Sequence, residues 1–230
     1  MANKFGIDTD ALMAQYENAT SKQGAAVREA VQQATLQALQ QRELTVKAIK
    51  EVVKVVSQAA SAGAARNTQG ADVEALLAQT VSGIDTAVQQ AVQASQRALQ
   101  QLLDQGLDLQ EKQMKKALTD IEKMEDMVYD TLRKAGSAEL PAPMQQAWGE
   151  ALKLFGQGDS ATGQAASSAV ESLLARAQAV SREGRAFNQR AAQVFVDHYA
   201  TLVSGVLIGM SEAMSSTPAA KPAPAARKSR

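Results

Sequence analysis

The stretch 71–135 constrains the fold more than any other part of this chain. It contains no proline, and apolar or small residues recur along it in alternating steps of three and four, which is the pattern of one buried stripe on a helix. A continuous helix over this stretch would be roughly 95 Å long at about 1.5 Å per residue. No core of a chain this size is that long. We therefore expect the stripe to need partners, which are other helices of the chain, another copy, or an apolar surface.

Composition favours long helices over a tightly packed globule. Aromatic residues, which supply much of the buried area in compact cores, make up only 3% of the 230 residues. Alanine is abundant and has the best helix propensity, but it buries little area. Acidic and basic residues balance at 24 each, so no overall field favours nucleic acid. Cysteine is absent, which excludes disulfides and suits the cytoplasmic location that we expect.

Further helices are predicted before this stretch. A short helix covers about 9–18, with Asp8 or Thr9 as its cap. A long one covers about 22–65, and its stripe has the spacing of coiled-coil core positions. That stripe is formed by Val46, Ile49, Val53 and Val56. The β-branched run 52–56 could form a strand, but helical spacing on both sides favours a helix. The break at 63–70 and a cap at Asp72 predict an antiparallel hairpin with the helix 71–135.

Two more helices and a tail complete the predicted architecture. Pro141 and Pro143 end the long helix, and a short amphipathic helix with Trp148 covers about 144–155. The last helix covers about 160–215, with Asp159 or Ser160 as its cap. Residues 217–230 are too rich in proline to fold alone. We therefore predict an all-α elongated helical bundle or coiled coil of three long and two short helices over 1–216, with a disordered basic C-terminal tail over 217–230.

The search for catalytic chemistry yields no catalytic residue, metal or cofactor. The single histidine, His198, lies on the apolar stripe of the last predicted helix, and one histidine without cysteine cannot form a zinc cluster. A packed histidine is the simpler interpretation. We interpret Glu122, Glu125 and Asp126 as a solvated helix face. We expect no enzyme, and no transmembrane span, because no apolar run reaches about 20 residues.

The C-terminal region carries two further features. Leu202, Val206, Leu207 and Met210, with their neighbours, cover nearly the whole circumference of a helix end, which must be buried in the protein, in another copy, or against lipid or polymer. Gly205 and Gly209 are four apart, a spacing that lets helices approach closely in a membrane or at a tight crossing in a soluble bundle, and we favour the crossing. The tail residues are Lys221, Arg227, Lys228 and Arg230. Four cations without aromatic neighbours are a weak signal for phosphate binding, so we do not expect a nucleic-acid partner.

Taken together, the long helices rich in alanine and glutamine, the absence of cysteine, the few aromatics and the Ala-Pro-Lys tail resemble the phasins. These bacterial proteins coat polyhydroxyalkanoate storage granules. The block 199–212 is also similar to an uncharacterised bacterial helical family that is grouped loosely with them. The resemblance implies a non-catalytic, granule-associated protein without cofactors. The residues that would lie on a granule or lipid surface are Val46, Ile49, Val53, Val56, Leu99, Leu102, Leu109, Leu202, Val206, Leu207 and Met210.

An alternative uses the same stripes differently. In a soluble self-associating coiled-coil scaffold or interaction protein, they would meet another protein instead of an apolar surface. The heptad-like steps favour this alternative, and so does the scarcity of aromatic anchors and of Lys or Arg beside the stripes. We expect a homo-oligomer.

Overall fold

The computed structural model describes residues 7–20, 23–40, 44–67, 70–104, 111–137, 140–153, 160–183, 203–208 and 210. Eight helices and a short helical segment at 203–208 account for most of these residues, which contain no β-strand. The helices are α1 (Thr9–Glu17), α2 (Gly24–Gln40), α3 (Val46–Ala65), α4 (Val73–Asp104), α5 (Glu111–Glu122), α6 (Met124–Gly136), α7 (Ala142–Lys153) and α8 (Ala161–Glu183). The all-α prediction is confirmed.

Helix α4 is the element around which the others pack. Helices α2, α3, α7 and α8 all lie against it, while α1 packs mainly on α3, and α6 contacts α3, α7 and α8. The relative directions of the helices follow from pairs of contacting residues. Gly24 faces Gln79 and Gly83 faces Val31, so α2 and α4 run parallel. Asp85 contacts Thr162 and Asp104 contacts Arg176, so α8 is parallel to α4 as well.

Two of the three long predicted helices are divided in the structure. The stretch predicted as one helix over 71–135 forms α4, α5 and α6, and the stretch 22–65 forms α2 and α3. Residues 105–110, between α4 and α5, lie outside the described residues, and their sequence includes Gly106, a poor helix former. The division at Lys123 is slight, since its backbone still bonds in helical register to Thr119 and Met127. The chain therefore supplies its own partners for the stripes.

Several predicted helix boundaries are confirmed by hydrogen bonds. Asp8 caps α1 by accepting from Ala11 N at 2.9 Å, and Asp72 caps α4 by accepting from Glu74 N at 3.0 Å. The β-branched run 52–56 is helical, as the spacing indicated. The predicted C-terminal helix 160–215 begins at Ala161. Its continuation over 184–202 and the tail 217–230 lie outside the described residues.

A tight crossing at Gly205 was expected from the glycine spacing, and this prediction is wrong. Gly205 is exposed, and a Cβ placed on it would meet no atom within 4 Å. Gly209 lies outside the described residues. Close helix contact is made instead at Gly63, where a Cβ would lie 2.7 Å from Tyr16 Cβ, and at Gly83. The spacing of two glycines alone does not specify which side of a helix meets a neighbour.

Candidate functional site

Most of the apolar residues that were predicted to bind a surface and that the structure describes lie in or against the core of the bundle. Six of them are no more than 1% exposed: Ile49, Val53, Val56, Leu99, Leu102 and Leu207. Val46, Val206 and Met210 are partly exposed, and the last two pack against the core. Leu109, Leu202 and the four tail cations Lys221, Arg227, Lys228 and Arg230 lie outside the described residues. In this conformation the stripes are covered by the chain itself.

Two large apolar side chains stay exposed within the described ranges. Leu174 on α8 is 44% exposed, and Ile208 in the segment 203–208 is 40% exposed. Their immediate neighbours Leu173 and Leu207 are fully buried. Both exposed residues belong to the C-terminal part of the chain. That part therefore offers the apolar side chains that a surface could contact without any rearrangement.

The start of α8 is held by side chains from two other helices. Asp85 of α4 accepts hydrogen bonds from the backbone N–H groups of Ala161 at 2.8 Å and Thr162 at 2.9 Å. Ser160 accepts from Gly163 N at 2.9 Å, and its hydroxyl donates to Glu125 of α6. We call Asp85, Glu125, Ser160 and Thr162 the α8 cap cluster. It satisfies N–H groups that have no partner within the helix, and its carboxylates complement the positive end of the helix dipole.

Polar contacts join α4 and α8 at both ends of their seam. On α4, polar residues at helical spacing form one row with an acid at each end, and all of them are partly buried except the exposed Asp104: Asp85, Gln89, Gln93, Gln96, Gln100 and Asp104. Gln100 donates to Ser172 Oγ at 2.7 Å. Arg176 donates to Asp104 at 2.6 Å, with both side chains half exposed. The apolar part of the seam on α8 consists mainly of Ala166, Ala169 and Leu173.

Two buried aromatic residues join other elements through hydrogen bonds. Trp148 of α7 is 1% exposed and donates from Nε1 to Ser61 Oγ of α3 at 2.9 Å. Tyr16 of α1 bonds to Thr80 Oγ1 of α4 at 2.5 Å. Because the Thr80 hydroxyl donates to Leu76 O, the Tyr16 hydroxyl is the donor in that pair. Burial raises the pKa of Tyr16 well above its ordinary value.

The interpretation of Glu125 as part of a solvated face is corrected by these contacts. Glu125 is partly buried, bonds to Ser160 and lies directly over Gly163, where a Cβ would collide with its carboxylate. Glu122, Glu125 and Glu171 also line an open groove of about 240 Å³ between α5, α6 and α8. Glu122 and Asp126 are exposed, as expected. No group of three or more metal-ligating side chains is placed together in the described part of the chain.

One comparison with known proteins identifies the family. The model of a family of unknown function, DUF6781, matches residues 2–216, which is nearly the whole chain. The chain belongs to DUF6781. No curated protein and no solved structure matches it. The DUF6781 match spans all eight helices, so both the α8 cap cluster and the seam between α4 and α8 lie within the region that defines the family.

In this DUF6781 chain, none of the helices that the structure describes is both long and apolar enough to cross a membrane. The cap role of Ser160 was expected from the sequence, whereas the role of Asp85 was missed. Asp85 is the one charged residue of α4 between Glu74 and Arg97, and this isolation is the signal that could have revealed it. Its partner lies 76 residues away, which no local pattern reveals.

Proposed function

We propose that this protein is a non-catalytic coat protein of the phasin type, which binds a polyhydroxyalkanoate granule or a similar apolar surface through its amphipathic helices. One observation carries the proposal: small side chains make up a large share of the core that covers the apolar stripes. Many of the buried core residues are alanines, namely Ala38, Ala59, Ala60, Ala64, Ala87, Ala91, Ala94, Ala98, Ala147, Ala151, Ala166 and Ala169.

Small covering side chains make an exchange of partners energetically feasible. Apolar burial stabilises by about 25 cal/mol per Å² removed from water, and an alanine removes little area. An apolar surface can replace such contacts on Val53, Val56 or Leu99 with contacts of similar area. The bundle then opens on the surface and keeps its helices, with the glutamine-rich faces in water.

The exposed residues Leu174 and Ile208 support the C-terminal part as the point of first contact. They need no opening of the bundle before they meet a surface. Once they are bound, the surface is close to Leu173 and Leu207, which are buried beside them. Opening then proceeds from this end of the chain.

Sedimentation with poly(3-hydroxybutyrate) particles and with phospholipid vesicles tests the proposal. The wild-type protein should pellet with the particles. The double variant Leu174→Ser with Ile208→Ser should bind roughly fivefold to tenfold more weakly, because two exposed apolar side chains are lost. A matched control, Gln37→Ser with Gln58→Ser, shortens two exposed polar side chains and should bind like the wild type. A helical wild-type protein that stays in the supernatant with both surfaces contradicts the proposal.

A self-associating scaffold is the second candidate. The same exposed pair, Leu174 and Ile208, favours it, because a second copy of the chain could cover both residues without opening the bundle. Light scattering after size-exclusion chromatography separates the candidates. If the protein is a scaffold, the wild type should be an oligomer, the Leu174→Ser, Ile208→Ser double variant should be a monomer, and neither should bind the particles.

A further inference from the structure

We propose that α8 is an arm that undocks from α4 as a unit, and that the α8 cap cluster is its latch. The contacts of α8 alone support the undocking. That the undocking exposes apolar side chains to a granule or similar surface rests on the proposed function above.

The way in which α8 is capped couples its first turn to docking. Helices α1, α3 and α4 are each capped by the residue directly before the helix. These caps are Asp8, Thr45 and Asp72. In α8, by contrast, the N–H groups of Ala161 and Thr162 are satisfied by Asp85 of another helix. When α8 leaves α4, those two groups lose their partner together, while the Ser160 bond to Gly163 is retained.

The remaining attachment of α8 combines small apolar side chains with half-exposed polar contacts. The ion pair Arg176–Asp104 is half exposed on both sides, and exposed pairs of this kind stabilise little. Gln100 and Ser172 form a neutral hydrogen bond. Among the side chains of α8 that the structure describes, Leu173 is the one large apolar side chain that is fully buried. The cap cluster is therefore the strongest polar contact of the seam, because its carboxylate bonds are partly buried whereas the Arg176–Asp104 pair is half exposed.

The neighbouring elements are attached differently. Helix α2 meets α4 in close backbone contact, with a Cβ on Gly83 lying 2.6 Å from Arg28 O. Helix α7 is anchored by the buried Trp148. Proteins open first where apolar contact is least, so α8 should open before α2, α3 and α7. Its release bares Leu173 beside Leu174 and Val170, which widens the apolar face available to a surface.

Native-state hydrogen exchange on the full-length protein tests the arm without any surface present. In the wild type at low denaturant, α8 should exchange before α2, α3 and α7. Asp85→Ala should raise the exchange of α8 by roughly tenfold or more and leave α2 and α3 unchanged. Asp72→Ala is the matched control. It also removes one aspartate cap, but its effect should be confined to the start of α4.

Two outcomes would refute the proposal that α8 undocks as a unit. One is an unchanged exchange of α8 in Asp85→Ala. The other is that, in the wild type, α8 exchanges at the same denaturant concentration as α2 and α3 and not before them. This second test does not depend on whether a variant folds. Asp85→Asn, which keeps an oxygen acceptor but loses the charge, should fall between the wild type and Asp85→Ala.

Binding to poly(3-hydroxybutyrate) particles tests the link to the surface separately. Asp85→Ala should bind the particles several-fold faster than both the wild type and Asp72→Ala. If α8 is freed in the exchange experiment but binding is no faster, its role in surface binding is refuted while the arm stands. If no variant binds, the proposed function fails, and the exchange result still decides whether α8 is an arm.

Discussion

Tyr16 illustrates how individual buried polar groups join separate helices. It is fully buried, and its hydroxyl donates to Thr80, which lies 64 residues further along the chain. Asn67, after α3, donates to the carbonyl of Tyr16 at 2.7 Å and to that of Ala19 at 2.9 Å. These bonds attach the C-terminal end of α1 to Asn67, in the connection between α3 and α4. Buried polar groups of this kind are costly when unpaired, so they specify which elements meet.

The buried hydroxyl of Tyr16 predicts a loss of stability at alkaline pH. Unfolded tyrosine ionises near pH 10, whereas burial raises the pKa of Tyr16 in the folded protein above that value. The stabilisation is thus complete below about pH 10 and is lost as the pH rises further. Tyr16→Phe should lower the free energy of unfolding at pH 7 by about 1 kcal/mol, through the lost hydrogen bond.

Urea unfolding at several pH values between neutrality and about pH 11 measures both effects. The difference between the wild type and Tyr16→Phe should shrink above pH 10, because only the wild type must keep this hydroxyl protonated in order to fold. A difference that stays constant with pH would contradict the assignment.

Ser61 provides a second prediction at this scale. Ser61→Ala leaves the indole N–H of Trp148 buried without its acceptor, which should cost about 1–3 kcal/mol of stability. Ser57→Ala is the matched control. Ser57 is also buried on α3 and donates to the carbonyl four residues earlier, but no hydrogen bond from Trp148 is directed to it. Urea unfolding followed by tryptophan fluorescence should show a clearly larger loss for Ser61→Ala than for Ser57→Ala.

At the scale of elements, helix contacts are set by small residues at particular points. Gly83 brings α4 against α2, Gly63 brings α3 against α1, and Gly136 brings α6 against Trp148 of α7. In each case, a Cβ on the glycine would approach an atom of the neighbouring helix within 2.7 Å. Glycine lowers helix propensity at these positions, but its lack of a side chain lets the neighbouring helices approach closely.

Two glycine substitutions should therefore have opposite signs. Gly83→Ala should destabilise the protein by about 1–3 kcal/mol, because the new methyl group meets Arg28 O and Val31 Cβ. Gly149→Ala, in the interior of α7, should stabilise it by about 0.5–1 kcal/mol, because the position is exposed and nothing lies within 4 Å of the new Cβ. Thermal or urea unfolding measures both. A loss at Gly149 as large as that at Gly83 would refute the packing explanation.

At the scale of the whole molecule, one apolar core joins all eight helices. It extends from Ile7, just before α1, to Leu207 in the C-terminal segment. Trp148 lies fully buried in it and is the single tryptophan of the chain. The state of the bundle can therefore be followed through one intrinsic fluorophore.

Opening of the bundle on an apolar surface should change the environment of Trp148. In solution, quenching by acrylamide should be weak, because the indole is covered on all sides. If surface binding opens the bundle as proposed, the emission wavelength and the quenching of Trp148 should change together with the amount of protein that pellets. Pelleted protein with unchanged Trp148 emission and quenching would mean that the closed bundle binds, which contradicts the opening.

Local features of the chain could be predicted because they depend on neighbouring residues. The helical state of 52–56 follows from apolar spacing, and the caps Asp8, Asp72 and Ser160 follow from side chains that reach N–H groups two or three residues away. The division of the long helices was not foreseen. Propensity changes only slightly at 41–45, and the single glycine in 105–110 costs a helix only about 1 kcal/mol, which packing between distant segments outweighs.

The sequence by itself determined that this chain is helical, where several of its helices begin, and where the main apolar stripes run, because these properties arise within a few turns of the backbone. Only the tertiary structure decided what covers the buried faces. Val53 and Leu99 could have met a second copy or a surface equally well, since apolar burial has no directional preference. The attachment of Ala161 to Asp85 likewise required the fold, because a hydrogen bond across 76 residues depends on how whole helices pack.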